Sequence, residues 1–192
     1  MSRPKARSLL QRPVDAFYVV FLSFHLIASL LVDGQAFYPP KLVPAALKQV
    51  LLDYIRDSND PLIQSAQSPK YVWFWSALVL EFVIQVPCFA VGAWALAKDD
   101  RRVYPLMIAY AACAGVTTFQ CLLTVLIGAE RATLTDQQLR FILNSYVPFF
   151  AIPTFMLFDM VRRTTALLSR AEQDAETSAV VNGPRGKAVK SD

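Results

Sequence analysis

Four long apolar stretches, separated by polar connections of unequal length, dominate the hydrophobic pattern of the chain. They cover about residues 14–32, 72–97, 103–127 and 141–161, or about 19 to 26 residues each. A helix rising about 1.5 Å per residue crosses a hydrocarbon core in roughly 20 residues, so each stretch is long enough to span. The runs are continuous, without the ten-residue alternation of barrel strands. Backbone groups in lipid have no water to bond, so helices are the remaining solution. The pattern predicts an all-α membrane protein, a four-transmembrane-helix bundle. The first run exceeds the roughly 7–15 residues of a signal-peptide core and is read as a span.

The connections carry their own information. Residues 1–13 form a basic N-terminus and residues 14–163 the membrane domain. Within the 33–71 connection, residues 45–55 read as a short amphipathic helix, preceded by Pro39, Pro40 and Pro44 and followed by Pro61. This short helical connection is expected to fold against one mouth of the bundle. Residues 164–192 are polar and lack apolar periodicity, so the tail is expected to be largely disordered after its first turns. Thirteen Lys and Arg sit before the first span, in the 98–102 turn and after residue 161, against six in the other two connections. By the positive-inside bias both termini face the cytosol, and the 33–71 and 128–140 connections face a lumen or the exterior.

Composition narrows the function classes. Hydrophobic residues make up 55% and charged residues 18% of the chain, and mean hydropathy is +0.36. The net charge of +4 resides beside apolar segments, where headgroup contact and orientation explain it. No zinc-finger spacing, RNA-binding aromatic signature or groove-reading basic helix is present, so nucleic acid is not an expected partner. Cys88, Cys113 and Cys121 all fall inside apolar segments and read as small apolar filler. A single histidine makes a metal site unexpected. Nucleophile elbows and phosphate loops are absent, so no catalytic residue and no cofactor is assigned.

A few polar residues stand out against the apolar background. Glu81 comes nine positions after Val72, about 14 Å into the bilayer at helical rise. An ionised carboxylate there is expensive, and Glu81 either bonds another helix or lines a ligand cavity. Gln85 follows one helical turn later on the same expected face. Asp33 ends the first span, where its charge opposes the helix dipole, and Ser29 and His25 lie on roughly the same stripe. His25 alone is more often a satisfied interior histidine than an acid or base. Asp60-Pro61 reads as a turn start. Thr117 and Thr118 suit packing or pocket lining. Pro148 and Pro153 predict kinks in the fourth span that open space between helices. A bundle with acids near one mouth and a proline-opened interior suits an apolar ligand with one polar or cationic group.

Several stretches together resemble the EXPERA-domain family. They are Arg12-Pro13 through Ser23, Leu31-Val32-Asp33-Gly34-Gln35-Ala36, Asn59-Asp60-Pro61-Leu62, Leu80 through Phe89 (LEFVIQVPCF), and Tyr146-Val147-Pro148-Phe149 with Ile152-Pro153. Their order and spacing, across about residues 12–163, are most similar to the sigma-2 receptor branch, which includes fungal efficient mitochondria targeting-associated proteins. The resemblance implies a multi-pass endoplasmic-reticulum protein with a pocket for sterols and cationic amphiphiles. Asp33 would pair with a ligand amine, Asp60 would support it, and Glu81 would be a protonated partner in the same acidic cluster. Gln85, Thr118 and Tyr146 would line the pocket, with His25 beside them. Phe149 stands where relatives can carry a second tyrosine. The superfamily also contains sterol Δ8–Δ7 isomerases, for which His25, Glu81 and Asp33 offer acid–base groups. The closer motif match favours ligand binding, with a role in sterol homeostasis or membrane-protein trafficking. Quality control of mitochondrial precursors through protein contacts is the alternative and isomerase activity the second. Membrane lipids are expected neighbours; membrane-protein partners and a homodimer stay open.

Overall fold

A computed structural model describes residues 6–182. All of its regular secondary structure is helical, with no strand among the described residues. The elements are α1 (Pro13–Leu31), α2 (Ala45–Ser58), α3 (Pro61–Gln64), α4 (Val72–Leu80), α5 (Val86–Ala97), α6 (Tyr104–Ile127) and α7 (Asp136–Asn182). A single π-helical segment, Glu81–Gln85, joins α4 to α5. Four helical units are long and apolar enough to cross a membrane: α1, α4 with α5, α6 and α7. The protein is therefore an all-α, four-transmembrane-helix membrane protein.

Packing pairs α1 with α5 and α6 with α7. Small residues permit the close approaches, as expected where lipid removes the hydrophobic drive between helices. A Cβ on Gly92 of α5 would fall 2.6 Å from the Met107 side chain and 3.1 Å from Leu22, so that glycine is required where three spans meet. Gly115 of α6 faces Thr154 of α7. Tyr18, Leu22, Phe89, Met107, Tyr110, Met156 and Met160 form the fully enclosed centre.

Polar clasps close the two ends. At one end Arg12 donates to Asp15 at 2.6 Å and to the Leu96 carbonyl at 2.9 Å. Arg163 bridges Asp15 and Asp159 at 2.5 and 2.6 Å, and Tyr18 donates to Asp159 at 3.2 Å. The 98–102 turn joins this end through Asp99, which pairs with Arg7 at 3.4 Å. At the other end Tyr71 and Lys70 both reach Glu130 at 2.8 Å, and Asn59 donates to the Thr133 carbonyl at 3.3 Å. The basic-rich connections thus share one end, and the 33–71 and 128–140 connections share the other.

Two expectations need correction. The segment after residue 163 is not disordered as far as it is described, because α7 continues to Asn182. Its residues are strong helix formers such as Ala, Leu, Glu and Arg, and the first helix breakers are Gly183 and Pro184. Residues 183–192, the rest of the expected disordered tail, lie outside the described residues. The fourth span also starts earlier than residue 141, at Asp136, and runs through Pro148 and Pro153 without a break.

Candidate ligand-binding site

The local sequence builds the mouth of the bundle in three steps. After α1 a short 3₁₀ turn, Asp33–Ala36, redirects the chain. Gln35 then donates to the carbonyls of Leu31 at 2.9 Å and Leu47 at 3.0 Å, which ties α2 to the end of α1. The Tyr38 ring packs over Gly34, where a Cβ would lie 2.6 Å from it and displace the ring. Asn59 ends α2 in the left-handed conformation at φ 51°, a geometry that asparagine tolerates. The chain reverses, and Asp60 caps α3 by accepting from the backbone N–H groups of Leu62 at 2.9 Å and Ile63 at 3.3 Å.

Asp60 is completely buried. Its second oxygen accepts from the hydroxyls of Tyr54 at 2.9 Å and Tyr146 at 2.6 Å. One carboxylate therefore ties α2, α3 and α7 together. Burial first, then the charge of Asp60, pushes the Tyr54 phenol well above its ordinary value, so this tyrosine remains a donor.

Beneath this cover is a cavity of about 330 Å³. Its apolar walls include Phe24, Val32, Leu51, Phe74, Leu78 and Phe149. Asp33, Glu81 and His25 also line it, together with Tyr54, Thr118, Ser145 and Tyr146. No Lys or Arg lines it. Ser29 of α1 donates to Glu81. The His25 Nε2 is 3.8 Å from the same Glu81 oxygen. His25 packs against Phe89 and Phe149, with ring centroids 4.3 and 4.6 Å away, and its buried Nδ1 has no hydrogen-bond partner. Asp33 lines the same cavity as Glu81, and it pairs with no cation among the described residues. A second cavity, about 450 Å³, shares Val32, Asp33, Leu51, Ile63 and Leu78 with the first, so Asp33 borders both.

Five residues singled out from the sequence therefore share one cavity: His25, Asp33, Glu81, Thr118 and Tyr146. Asp60 stands behind that wall, acting on it through two tyrosines. Gln85 does not line the cavity. It is buried and directs its amide toward the Cys113 sulfur at 3.8 Å. The expected shared face with Glu81 assumed α-helical register, but the π-helical segment carries a 5-residue step from the Glu81 carbonyl to the Val86 N–H. That wider turn rotates Gln85 away. The signal was Pro87: a proline clashes with the carbonyl four residues earlier, and a π segment just before it relieves that contact. Tyr54, Leu51 and Ser145 were not expected at the cavity. Nothing in a local amphipathic pattern tells which face of α2 meets α7.

The architecture is that of a multi-pass membrane protein that encloses an acidic, aromatic-walled cavity between its spans and a helical cover. The chain belongs to the EXPERA (EXPanded EBP superfamily) family, whose model matches residues 46–160. It is 30% identical over 151 residues to "Sigma intracellular receptor 2" of Xenopus tropicalis, covering 76% of this chain and 85% of that protein. The protein of the same name from Homo sapiens is 29% identical over 163 residues, covering 79% and 89%. "Efficient mitochondria targeting-associated protein 19" of Saccharomyces cerevisiae is 23% identical over 155 residues, covering 74% and 94%.

Proposed function

We propose that the protein is a sigma-2-receptor-type binder of sterols and cationic amphiphiles, resident in the endoplasmic-reticulum membrane with both termini cytosolic. The observation that carries this reading is that Asp33 and Glu81 both line a cavity that is otherwise largely apolar and that no Lys or Arg lines. An ammonium group entering such a space supplies the missing positive charge. The ligand's hydrocarbon body replaces water against Phe24, Phe74, Leu78 and Phe149. Asp33 is the anionic partner, Glu81 its neighbour held by Ser29, and Tyr146 and Thr118 orient the polar part of the ligand. Asp60 positions Tyr146 and Tyr54 without touching the ligand. Gln85 supports the second span beside Cys113.

Binding of a sterol and of a hydrophobic amine to the purified protein, with and without Asp33→Asn, tests the reading. Amine binding should be lost and neutral sterol binding largely retained. Equal loss of both would assign Asp33 a structural role.

A second reading draws on α7, which continues as a helix past Arg163 to Asn182 and is exposed over residues 168–179, and on the name of the yeast relative. A helix standing clear of the bundle offers a surface for protein contacts in membrane-protein trafficking or mitochondrial precursor targeting, and one protein can combine this with ligand binding. Sterol isomerisation ranks below both, because His25 is packed against Phe89 and Phe149 with its Nε2 only 3.8 Å from Glu81, rather than opposed to it across open space. Cells lacking sterol Δ8–Δ7 isomerase should keep their Δ8 sterol when this chain is expressed; formation of the Δ7 product would reverse that ranking.

A further inference from the structure

The end of the bundle opposite the acidic cavity carries a cleft of reversed charge, with a volume of about 410 Å³. Six arginines line it, Arg7, Arg12, Arg101, Arg162, Arg163 and Arg170, against the single carboxylate of Asp15. Asp99 and Asp159 contribute from the edge through their pairs with Arg7, Arg162 and Arg163. Six positive charges against three negative ones still leave a clear excess. Arg101 and Arg170 are exposed and pair with no acid among the described residues. The cleft also borders the first turn of α1 and the first residue of α6, so the positive ends of two long helix dipoles add to the same sign.

Apolar surface continues from this cleft into the membrane. On α1, Val14 lines the cleft and Phe17, three residues deeper on the same face, is 49% exposed. On α7, Phe158 lies one turn deeper than Arg162 and is 69% exposed. A basic recess at a helix end, continued by a lipid-facing apolar stripe, has the two chemistries of an anionic phospholipid. Arginine forks match phosphate oxygens in pairs, and basic pockets between membrane helices hold such headgroups.

We propose that this cleft binds the headgroup of an anionic phospholipid, with Arg101 and Arg170 meeting the phosphate and an acyl chain lying along Val14, Phe17 and Phe158. Arg12, Arg162 and Arg163 are already committed to Asp15 and Asp159, and serve as the fixed floor. The site is separate from the acidic cavity, so it stands or falls independently of the amine-binding reading. Free phosphate shares the headgroup chemistry; the apolar stripe is what favours the lipid.

The test is native mass spectrometry of the full chain released from nanodiscs holding equal phosphatidylserine and phosphatidylcholine. The parent should retain phosphatidylserine in preference, and Arg101→Gln with Arg170→Gln should reduce that preference by about tenfold. Arg101→Lys with Arg170→Lys, which keeps the charge, should retain most of it, and Asp33→Asn should leave it unchanged. If the double Gln variant fails to melt cooperatively, the single Arg170→Gln, on the exposed part of α7, replaces it with a smaller expected loss. Equal retention of both lipids by the parent overturns the proposal, as does an unchanged preference in the Gln variant. Displacement of the lipid by inorganic phosphate at equal concentration would assign the cleft to a soluble anion. Capture of an acidic peptide without any lipid preference would assign it to a protein partner. Either result overturns the lipid assignment.

Discussion

Replacing Asp60 with alanine removes four interactions at once. Two are backbone caps on α3, worth about 1 kcal/mol together. The other two are the tyrosine hydroxyls of Tyr54 and Tyr146, at 2.9 and 2.6 Å from one carboxylate oxygen. A hydrogen bond to a charged acceptor contributes about 1.5–3 kcal/mol, and both hydroxyls would be left without their acceptor. Loss of the buried carboxylate also removes its desolvation penalty, which offsets part of the damage. The net destabilisation of the α2–α3 cover should be about 3–4 kcal/mol, a few-hundredfold change in its opening equilibrium at about 1.4 kcal/mol per factor of ten. Hydrogen–deuterium exchange across residues 45–64 reads this directly, because opening of the cover exposes those amides. Asp60→Asn keeps a side-chain carbonyl for the caps and should cost about half as much. Tyr54→Phe and Tyr146→Phe should each accelerate exchange less than Asp60→Ala, and the second phenylalanine should add nothing in the Asp60→Ala background. If Asp60→Ala accelerates exchange in this segment by less than about fivefold, the carboxylate does not hold the cover to α7, and its assigned role is wrong.

Three further outcomes follow from the same geometry. Glu81→Gln keeps an oxygen that accepts from Ser29 and should preserve the detergent melting temperature, whereas Glu81→Leu leaves that fully buried hydroxyl unpaired, costs about 1–3 kcal/mol and should lower it; a Gln variant as damaged as the Leu variant would mean the negative charge itself is required. The Glu130 carboxyl is held below its usual value of 4.5 first by Lys70 and also by Tyr71, so its stabilisation is fully present above about that pH and disappears as pH falls through the lowered folded value; melting curves of parent and Glu130→Gln should converge at acid pH, and a constant gap down to pH 2 would contradict this. Tags on both termini should be digested by protease in sealed microsomes, as the thirteen-to-six distribution of Lys and Arg predicts; a protected C-terminal tag would refute the proposed orientation.

The spans were legible in the sequence because lipid imposes both length and hydropathy on them, and their bounds differ from the structure by a few residues in the first three helices. The short helix of the connection was legible from its apolar stripe between prolines, and it extends to Ser58. Asp33 and Glu81 stood out for a physical reason: carboxylates are rare where hydration is lost. Asp60 was harder to see, since Asp-Pro most often starts a turn, whereas here it caps α3 and also bonds Tyr54 and Tyr146. That second role depends on how α2 docks against α7, a tertiary fact without a local signature. The displacement of Gln85 depends on one π-helical turn, which shifts every later side chain while leaving the hydropathy pattern unchanged. The helical end of α7 has no signature in apolar periodicity; its signal is that residues 166–176 are mostly strong helix formers and that the next Gly and Pro come at 183 and 184.

The central claim is that Asp33 supplies the anion for a cationic ligand inside the cavity it shares with Glu81. The most direct test measures the affinity of the purified parent and the Asp33→Asn variant for a hydrophobic tertiary amine and for its neutral isostere, in which carbon replaces the ammonium nitrogen. An ammonium buried without its carboxylate costs about 3–5 kcal/mol. Asp33→Asn should therefore weaken amine binding by at least about a hundredfold while leaving isostere affinity nearly unchanged. An Asn variant that still discriminates between amine and isostere as the parent does would contradict the account.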